Sequence, residues 1–376
     1  MPVSREPVTV LLLGSPAHQV IRELRRHLPE ASTLVVGDDW LQRERTLEWR
    51  SPAPGGDPSP ILRLGDRALD RGHLRSIYVH PACRRRSDGI LAPRFLAPHD
   101  AVPARDGPFA ESEAEASLLG GLAGFRGLWV NHPASEWLAD HKLHQLEVAH
   151  ANGLRVPATL VSNDPDSLRA FHEAHRGEVV TKAVSAHPNR LLGDEVVITR
   201  RVEIDHLGLL DRASGPTLFQ EFIPAALDVR ATVIGDDVFA TAIDSQAGAG
   251  PLDWRLDYTV SMRPMALDDR TRSALLAVAR ELGLSYGAAD LRITPDGEPV
   301  FLEINPRGAY LFAERLAGQP MTRALADLLL RGRPQVPRPP GAAHRAGAGG
   351  GMAIGGPMGH RMDLESRRDP GGDEPG

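Results

Sequence analysis

A single cysteine, Cys83, stands in 376 residues, so no internal disulfide can form and nothing points to an oxidising compartment. Long apolar runs are missing too. The longest near the N-terminus, Val8–Leu13, is too short for a signal-peptide core or a membrane span, which makes the cytoplasm the expected location. Neither charge is in strong excess: the net −6 creates no global field for nucleic acid or for a membrane surface. The turn Gly14-Ser15-Pro16 lacks both G-x-G-x-x-G and a G-K-[ST] ending, so it is not a phosphate loop. No Ser-His or Cys-His signature offers a covalent nucleophile, Cys83 is expected to be inert, and there is no internal repeat. What remains is ordinary: 41% hydrophobic and 24% charged residues, over a length that calls for two or three domains.

The most informative stretch is Gly287–Arg307. Two strand-like runs, Ala289–Thr294 and Pro299–Asn305, flank the turn signal Pro295-Asp296-Gly297-Glu298. Strand period puts Leu291, Ile293, Val300, Leu302 and Ile304 on one face. The matching register sets Asp290 opposite Glu303, with Asn305 two residues further along the same face. Carboxylates directly opposite each other repel, and a bound cation removes that cost. Oxygen ligands of this kind suit Mg²⁺, which keeps several waters and commonly takes substrate phosphates as well. The bland alternative is a half-exposed hairpin whose charges face water. Asn305-Pro306-Arg307-Gly308 favours the metal, because it adds a stiff turn and a second cation, Arg307, just past the carboxylates.

Around this hairpin the chain reads as alternating strands and helices, an α/β pattern. Val8–Gly14, Leu34–Gly37 and Ile77–Val79 read as strands, with a helix opening at Ser15-Pro16 and running to Leu28. Ser51–Pro60 is a Pro/Gly-rich insertion, Arg84–Arg86 a basic loop cluster, and Pro93–Pro108 irregular. A helix over Glu111–Leu122 and a strand over Leu128–Asn131 precede a helix capped by Ser135, which carries Lys142 and stops at Asn152-Gly153. Then come a strand at Ala158–Val161, a helix begun by Asp164-Pro165, and a strand Glu178–Lys182 ending in a cation. Thr217–Ile223 is a strand, Asp228–Ile234 and Val238–Ile243 form a hairpin, and helices cover Leu267–Leu282 and Pro320–Leu330. Beyond Arg331 the Pro- and Gly-rich residues lack apolar period and are expected to be disordered.

Asp290 on one strand and Glu303-Ile304-Asn305 on the next resemble the metal-binding end of the ATP-grasp superfamily. The resemblance implies an ATP-grasp fold over 128–332, a small open α/β pre-ATP-grasp domain over 1–127, and a tail over 333–376. It implies an ADP-forming ligase, with two Mg²⁺ on Asp290, Glu303 and Asn305. Lys142 and Lys182 become the ATP lysines, and Val184–Asp194 the lid over the phosphates. Glu221, Phe222 and Ile223 become the adenine hinge and Asp228 the ribose carboxylate. Arg230 would reach the transferring phosphate or the acyl phosphate, with Lys182 and Arg307 completing the catalytic set.

Within the superfamily, Trp129-Val130-Asn131-His132-Pro133, Gly153-Leu154-Arg155-Val156-Pro157, Asp253-Trp254-Arg255 and Phe301–Pro306 resemble the microviridin-type ribosomal peptide maturases. These join side chains of a precursor peptide through ester or amide bonds. The resemblance implies activation of a peptide Asp or Glu as an acyl phosphate and its capture by Ser, Thr or Lys. A precursor with a leader segment would be the partner, touched by Trp254 and Arg255, with a second copy of the chain as a further partner. The chain departs from the pattern twice: Val79-His80-Pro81 stands for R-R-P, and Arg307-Gly308-Ala309-Tyr310 for N/S-G-Q and an aromatic. Two rivals stay open, a ligase adding a free amino acid to a protein or carrier and an ATP-binding regulator without turnover.

Overall fold

The structure, a computed structural model, describes residues 6–37, 46–50, 62–70, 72–80, 107–184, 198–209 and 215–332. The insertion at 51–60, Cys83, the 84–86 cluster, nearly all of the expected lid and the 333–376 tail lie outside the described residues.

The chain begins with β1 (Val10–Leu13), α1 (Gln19–Arg25) and β2 (Thr33–Val36), followed by a short meander, β3 (Leu47–Trp49), β4 (Leu62–Leu64) and β5 (Arg67–Leu69). β6 (Ser76–Val79), α2 (Gly107–Leu122) and β7 (Leu128–Val130) complete this part. The parallel sheet runs in the order β2-β1-β6-β7. β1, β6 and β7 are buried on both faces, which explains their continuous runs without alternation, while the edge strand β2 alternates. The strand that opens the second expected domain, β7, hydrogen-bonds into this first sheet. α1 starts later than the Ser15-Pro16 signal because His18 is its cap: the imidazole Nδ1 accepts from Val20 N–H.

Then follow α3 (Pro133–Ala139), α4 (Lys142–Ala151), β8 (Thr159–Ser162), α5 (Pro165–Ala174), β9 (Val179–Lys182), β10 (Arg200–Arg201) and β11 (Thr217–Glu221). The single helix expected to start at Ser135 is two helices. His132 caps the first, Ser135 lies buried inside it, and the break at Asp140-His141 makes Lys142 the first residue of the second. Four strands form an antiparallel sheet, β10-β9-β11-β8.

The last part is β12 (Leu227–Ile234), β13 (Asp237–Ile243), β14 (Met262–Met265), α6 (Asp269–Glu281), β15 (Tyr286–Ile293), β16 (Pro299–Asn305), α7 (Leu311–Ala317) and α8 (Met321–Arg331). Its antiparallel sheet runs β14-β13-β12-β15-β16. α4 and α6 cover one face, where Leu275, Val278, Val229, Leu291, Phe301 and Ile304 make one core. α8 joins the first sheet to this one: Leu325 and Leu329 pack with Leu12, Tyr78, Ile234 and Tyr286. Among the described residues no helix is long and apolar enough to cross a membrane.

Candidate active site

The hairpin β15–β16 pairs Asp290 with Glu303, as the sequence pattern requires, but it reaches that register by two compensating departures. The closing pair is Ile293 with Pro299, so the loop holds Thr294–Glu298 and is one residue longer than the turn signal suggests. A bulge at Leu302 then inserts one residue in β16, since Leu291 faces Phe301 while Asp290 faces Glu303. Alternation therefore breaks at Leu302. Phe301, not Leu302, is the fully buried side chain beside Ile304, and Glu303 is turned to the opposite face.

Cations from three other elements converge there. Lys142, in the first turn of α4, lies 3.2 Å from Glu303 and donates to the Ala183 carbonyl at 2.9 Å, tying the helix to the end of β9. Lys182, the last residue of β9, is half-buried within electrostatic reach of Glu303, Lys142, Asp290 and Arg255. Burial, reinforced by the two neighbouring cations, brings its ammonium down to about 8. Arg230 pairs with Asp290 at 2.9 Å and reaches the Ala309 carbonyl at 3.3 Å. Burial opposes the charge of this guanidinium, but Asp290 outweighs it and the pKa rises. Glu303 is half-buried, and Lys142, Lys182 and Arg255 hold it well below the usual carboxylate range despite that partial burial. Asp290 goes the other way, pushed up first by burial and further by the charge of Glu303, against the pull of Arg230. The pair thus sits in a ring of positive charge.

The register of β12 on β15 has a simple origin. Asp228-Val229-Arg230 runs antiparallel to Asp290-Leu291-Arg292, so Asp228 faces Arg292 and Arg230 faces Asp290. The two resulting ion pairs differ. Arg292 donates to Asp228 at 2.9 and 3.3 Å, and also to the carbonyls of Ile223 and Pro251. Ser245 adds a 2.5 Å bond to Asp228, which is 2% exposed. The ribose contact expected of Asp228 is therefore not open to it, because both its oxygens are consumed inside the protein. Arg292 is the residue sequence reasoning missed, although the two D-x-R segments carry the signal.

At the hinge, Glu221 accepts from Ala158 N–H at 3.2 Å and lies 3.6 Å from Arg155. Phe222 lies under the Arg201 guanidinium, 3.4 Å from the ring centroid. The Ile223 carbonyl is taken by Arg292. Trp254 departs from expectation: it is 7% exposed and stacked on Phe312, so its ring is spent in packing and offers little surface to a substrate. Arg255 beside it is half-exposed and held by a bidentate pair with Asp253 at 2.7 and 2.6 Å, which gives a role to the first residue of that motif. Arg307, expected to act beside the carboxylates, is engaged by Asp140 and by Glu136 at 3.4 Å, which direct it toward α3. Burial pushes the Glu136 carboxyl up to about 8 against the pull of Arg307. Both departures from the maturase pattern, His80 and Arg307-Gly308-Ala309, line one cavity.

The donor set can hold Mg²⁺. Asp290 Oδ2 and Glu303 Oε1, on directly opposed residues, accept no hydrogen bond among the described residues. Such spare carboxylate oxygens, together with phosphate oxygens, are the ligands the ion prefers. Asn305 is less free, since its amide oxygen accepts from Arg307 N–H at 2.8 Å.

A family model described as the RimK-like ATP-grasp domain matches residues 139–328, half of the chain. The chain belongs to that family. This RimK-like protein is therefore an ATP-grasp ligase, with a fold that binds ATP with magnesium ions. A probable alpha-L-glutamate ligase of Sodalis glossinidius (strain morsitans) is 27% identical over 256 residues, covering 65% of this chain and 83% of that protein. Among solved structures, the macrocyclase MdnC of Microcystis aeruginosa MRC, bound with precursor peptide MdnA, is 28% identical with a TM-score of 0.68. It covers 86% of this chain and 99% of its own. A RiPP-associated ATP-grasp ligase of Chryseobacterium gregarium, in complex with ADP and a leader and core peptide, has a TM-score of 0.72. At 23% identity over 88% of this chain and 99% of that one, it is a likeness of fold alone.

Proposed function

We propose that the RimK-like ligase closes ester or amide bonds between side chains of a ribosomally made peptide, using ATP. The observation that carries this reading is the opposed pair Asp290–Glu303 ringed by Lys142, Lys182, Arg230 and Arg255, an arrangement suited to a polyphosphate and a second carboxylate at once. The likeness to a macrocyclase along nearly its whole length supports a peptide as the substrate.

Asp290 and Glu303, assisted by Asn305, would hold one or two Mg²⁺, which when bound offset the charge of the β- and γ-phosphates. Lys142 and Lys182 bind phosphate oxygens at the end of β9, and the hinge at Glu221–Ile223 receives the base. Arg230 and Arg255 orient the peptide carboxylate, whose oxygen attacks the γ-phosphorus as the bond to ADP breaks. The acyl phosphate is then attacked by a Ser, Thr or Lys side chain, and phosphate leaves as the attacking group loses its proton. Alignment and charge neutralisation are the protein's contribution. The precursor's leader segment would bind apart from this chemistry, and a dimer is compatible with it.

The Sodalis relative's name, a glutamate ligase, favours a second reading, in which this chain adds a free amino acid to a protein or carrier. Mass decides between them. The enzyme is incubated with Mg²⁺, ATP and the short peptide encoded beside its own reading frame, with glutamate present. Loss of one water per bond is expected, and a gain of one glutamyl residue would overturn the crosslinking reading.

A further inference from the structure

A cavity of about 430 Å³ opens between the first sheet and the segment leading from β16 into α7. On one side it meets the ends of β1 and β6, adjacent strands whose connections leave in opposite directions. That is the switch point of an open parallel sheet, where the crevice beyond the carboxyl ends receives ligands. On the other side its wall is Gly308-Ala309, the backbone that Arg230 grips.

His18 follows β1 and His80 follows β6, and their Nε2 atoms lie 3.1 Å apart. Three contacts fix where the protons are. The Val20 N–H can only donate, so His18 Nδ1 is bare. A neutral His18 then carries its proton on Nε2 and donates to His80 Nε2. His80 must carry its own on Nδ1, which donates to the Tyr78 oxygen at 3.2 Å. The same logic argues against a metal between the histidines, because His18 Nε2 is the protonated atom. Burial keeps both rings neutral, His80 near 4, with His18 adding to the effect there. Tyr78 receives at its oxygen and must send its own proton elsewhere, yet no acceptor is found for it among the described residues. The ionisable side chains of the lining, Arg307 and Glu136, face each other, and Asp140 takes Arg307 as well. The cavity thus shows its occupant a hydroxyl donor and aromatic walls from Tyr258 and Phe312, but no unpaired charge.

We propose that this cavity holds the attacking group of the substrate and selects an uncharged hydroxyl, Ser or Thr, over a lysine ammonium, with the Tyr78 hydroxyl as the donor that positions it. An ammonium would shed its water beside Arg307 without gaining a free anion, whereas a hydroxyl keeps its hydrogen bond. The inference rests on the ligase reading above and narrows it to ester formation. The hydroxyl oxygen attacks the acyl carbon as the bond from that carbon to the phosphate oxygen breaks. Phosphate departs with the electron pair and takes up the hydroxyl proton.

The test separates activation from capture. The enzyme is given Mg²⁺, ATP and the peptide encoded beside it, with and without hydroxylamine, which traps an acyl phosphate as hydroxamate. The crosslinked product is then exposed to mild alkali. Expected are bonds that reopen in alkali, and a Tyr78→Phe enzyme that makes hydroxamate within twofold of wild type but ester at least tenfold more slowly. Undiminished hydroxamate also reports that the variant is folded. Alkali-stable bonds to lysine, or ester closure by Tyr78→Phe at the wild-type rate, would overturn the proposal. A wild-type enzyme giving no hydroxamate would sink the activation step itself, and this inference with it.

Discussion

Two Asp–Arg pairs bridge the same two strands two residues apart, and they are not equivalent. In Asp228–Arg292 the Asp oxygens and the guanidinium are bound by protein, five acceptor atoms and Ser245 sharing the work. In Arg230–Asp290 the guanidinium Nε is buried with no partner, the one charged group among the described buried side-chain atoms so left, and Asp290 keeps a spare oxygen. An unsatisfied buried polar group costs stability and persists only where something compensates. One pair fastens the hinge and the Asp253 loop to the sheet; the other is held open for a ligand. The same D-x-R pattern serves both, so pattern alone does not assign a role, while the hydrogen-bond inventory does.

Replacing each arginine by methionine sets the two pairs against each other. Arg292→Met strands a buried Asp228 and should cost about 3–5 kcal/mol of stability by urea unfolding, with the fold itself endangered. Arg230→Met should lose less, because Asp290 is already shifted toward its neutral form, yet ATP turnover with peptide present should fall roughly 10²–10³-fold. If both variants lost stability equally and turnover equally, the distinction would be void. Glu303→Gln belongs on the open side as well. Its fold should survive, since the side chain faces the cations rather than the core, while turnover drops by roughly 10²–10³-fold. Turnover near wild type would remove Glu303 from the metal role.

Gly308→Ala tests the open pair from outside the sheet. A Cβ there would lie 2.3 Å from Arg230 Nη2 and 2.6 Å from Ala288 Cβ, so the guanidinium must shift from Asp290. The expected loss is about 1–3 kcal/mol of stability with turnover down about tenfold. An unchanged turnover would show that Arg230 can move without consequence.

How much of this could be read in advance follows the distances along the chain. The β15–β16 register was legible because hydrophobic alternation and a turn signal lie within about twenty residues, but the bulge was not, and it redirected Phe301. The paired D-x-R segments were legible in principle, being complementary only in antiparallel order. The α3–α4 break, the three-residue strands of the meander and the seven-residue α7 are too short to show a period. Trp254 was misjudged because its stacking partner, Phe312, lies in a helix that no local signal announced. The cavity was beyond reach: His18, His80, Glu136 and Arg307 meet only through tertiary packing.

The smallest expected effect concerns a third polar cluster, the His18–His80–Tyr78 chain at the cavity, in which both rings are hydrogen-bonded and the Tyr78 proton is left to an occupant. His80 has a folded pKa of about 4, below the ordinary 6.5, chiefly through burial and secondarily through His18. Above pH 6.5 the ring is neutral folded or unfolded, and it adds no pH dependence. Between 6.5 and 4 the unfolded chain binds the proton and the folded one does not, so stability falls as the pH falls. Near pH 5.5 the loss should be about 1 kcal/mol from this group, set against unfolding at pH 7.5. His80→Gln removes the titration while keeping a polar group beside Tyr78, so its urea midpoint should fall less over the same interval. Parallel curves for the two proteins would mean that His80 takes up its proton in the folded state too. The neutral chain from His18 to Tyr78 would then not hold at the lower pH.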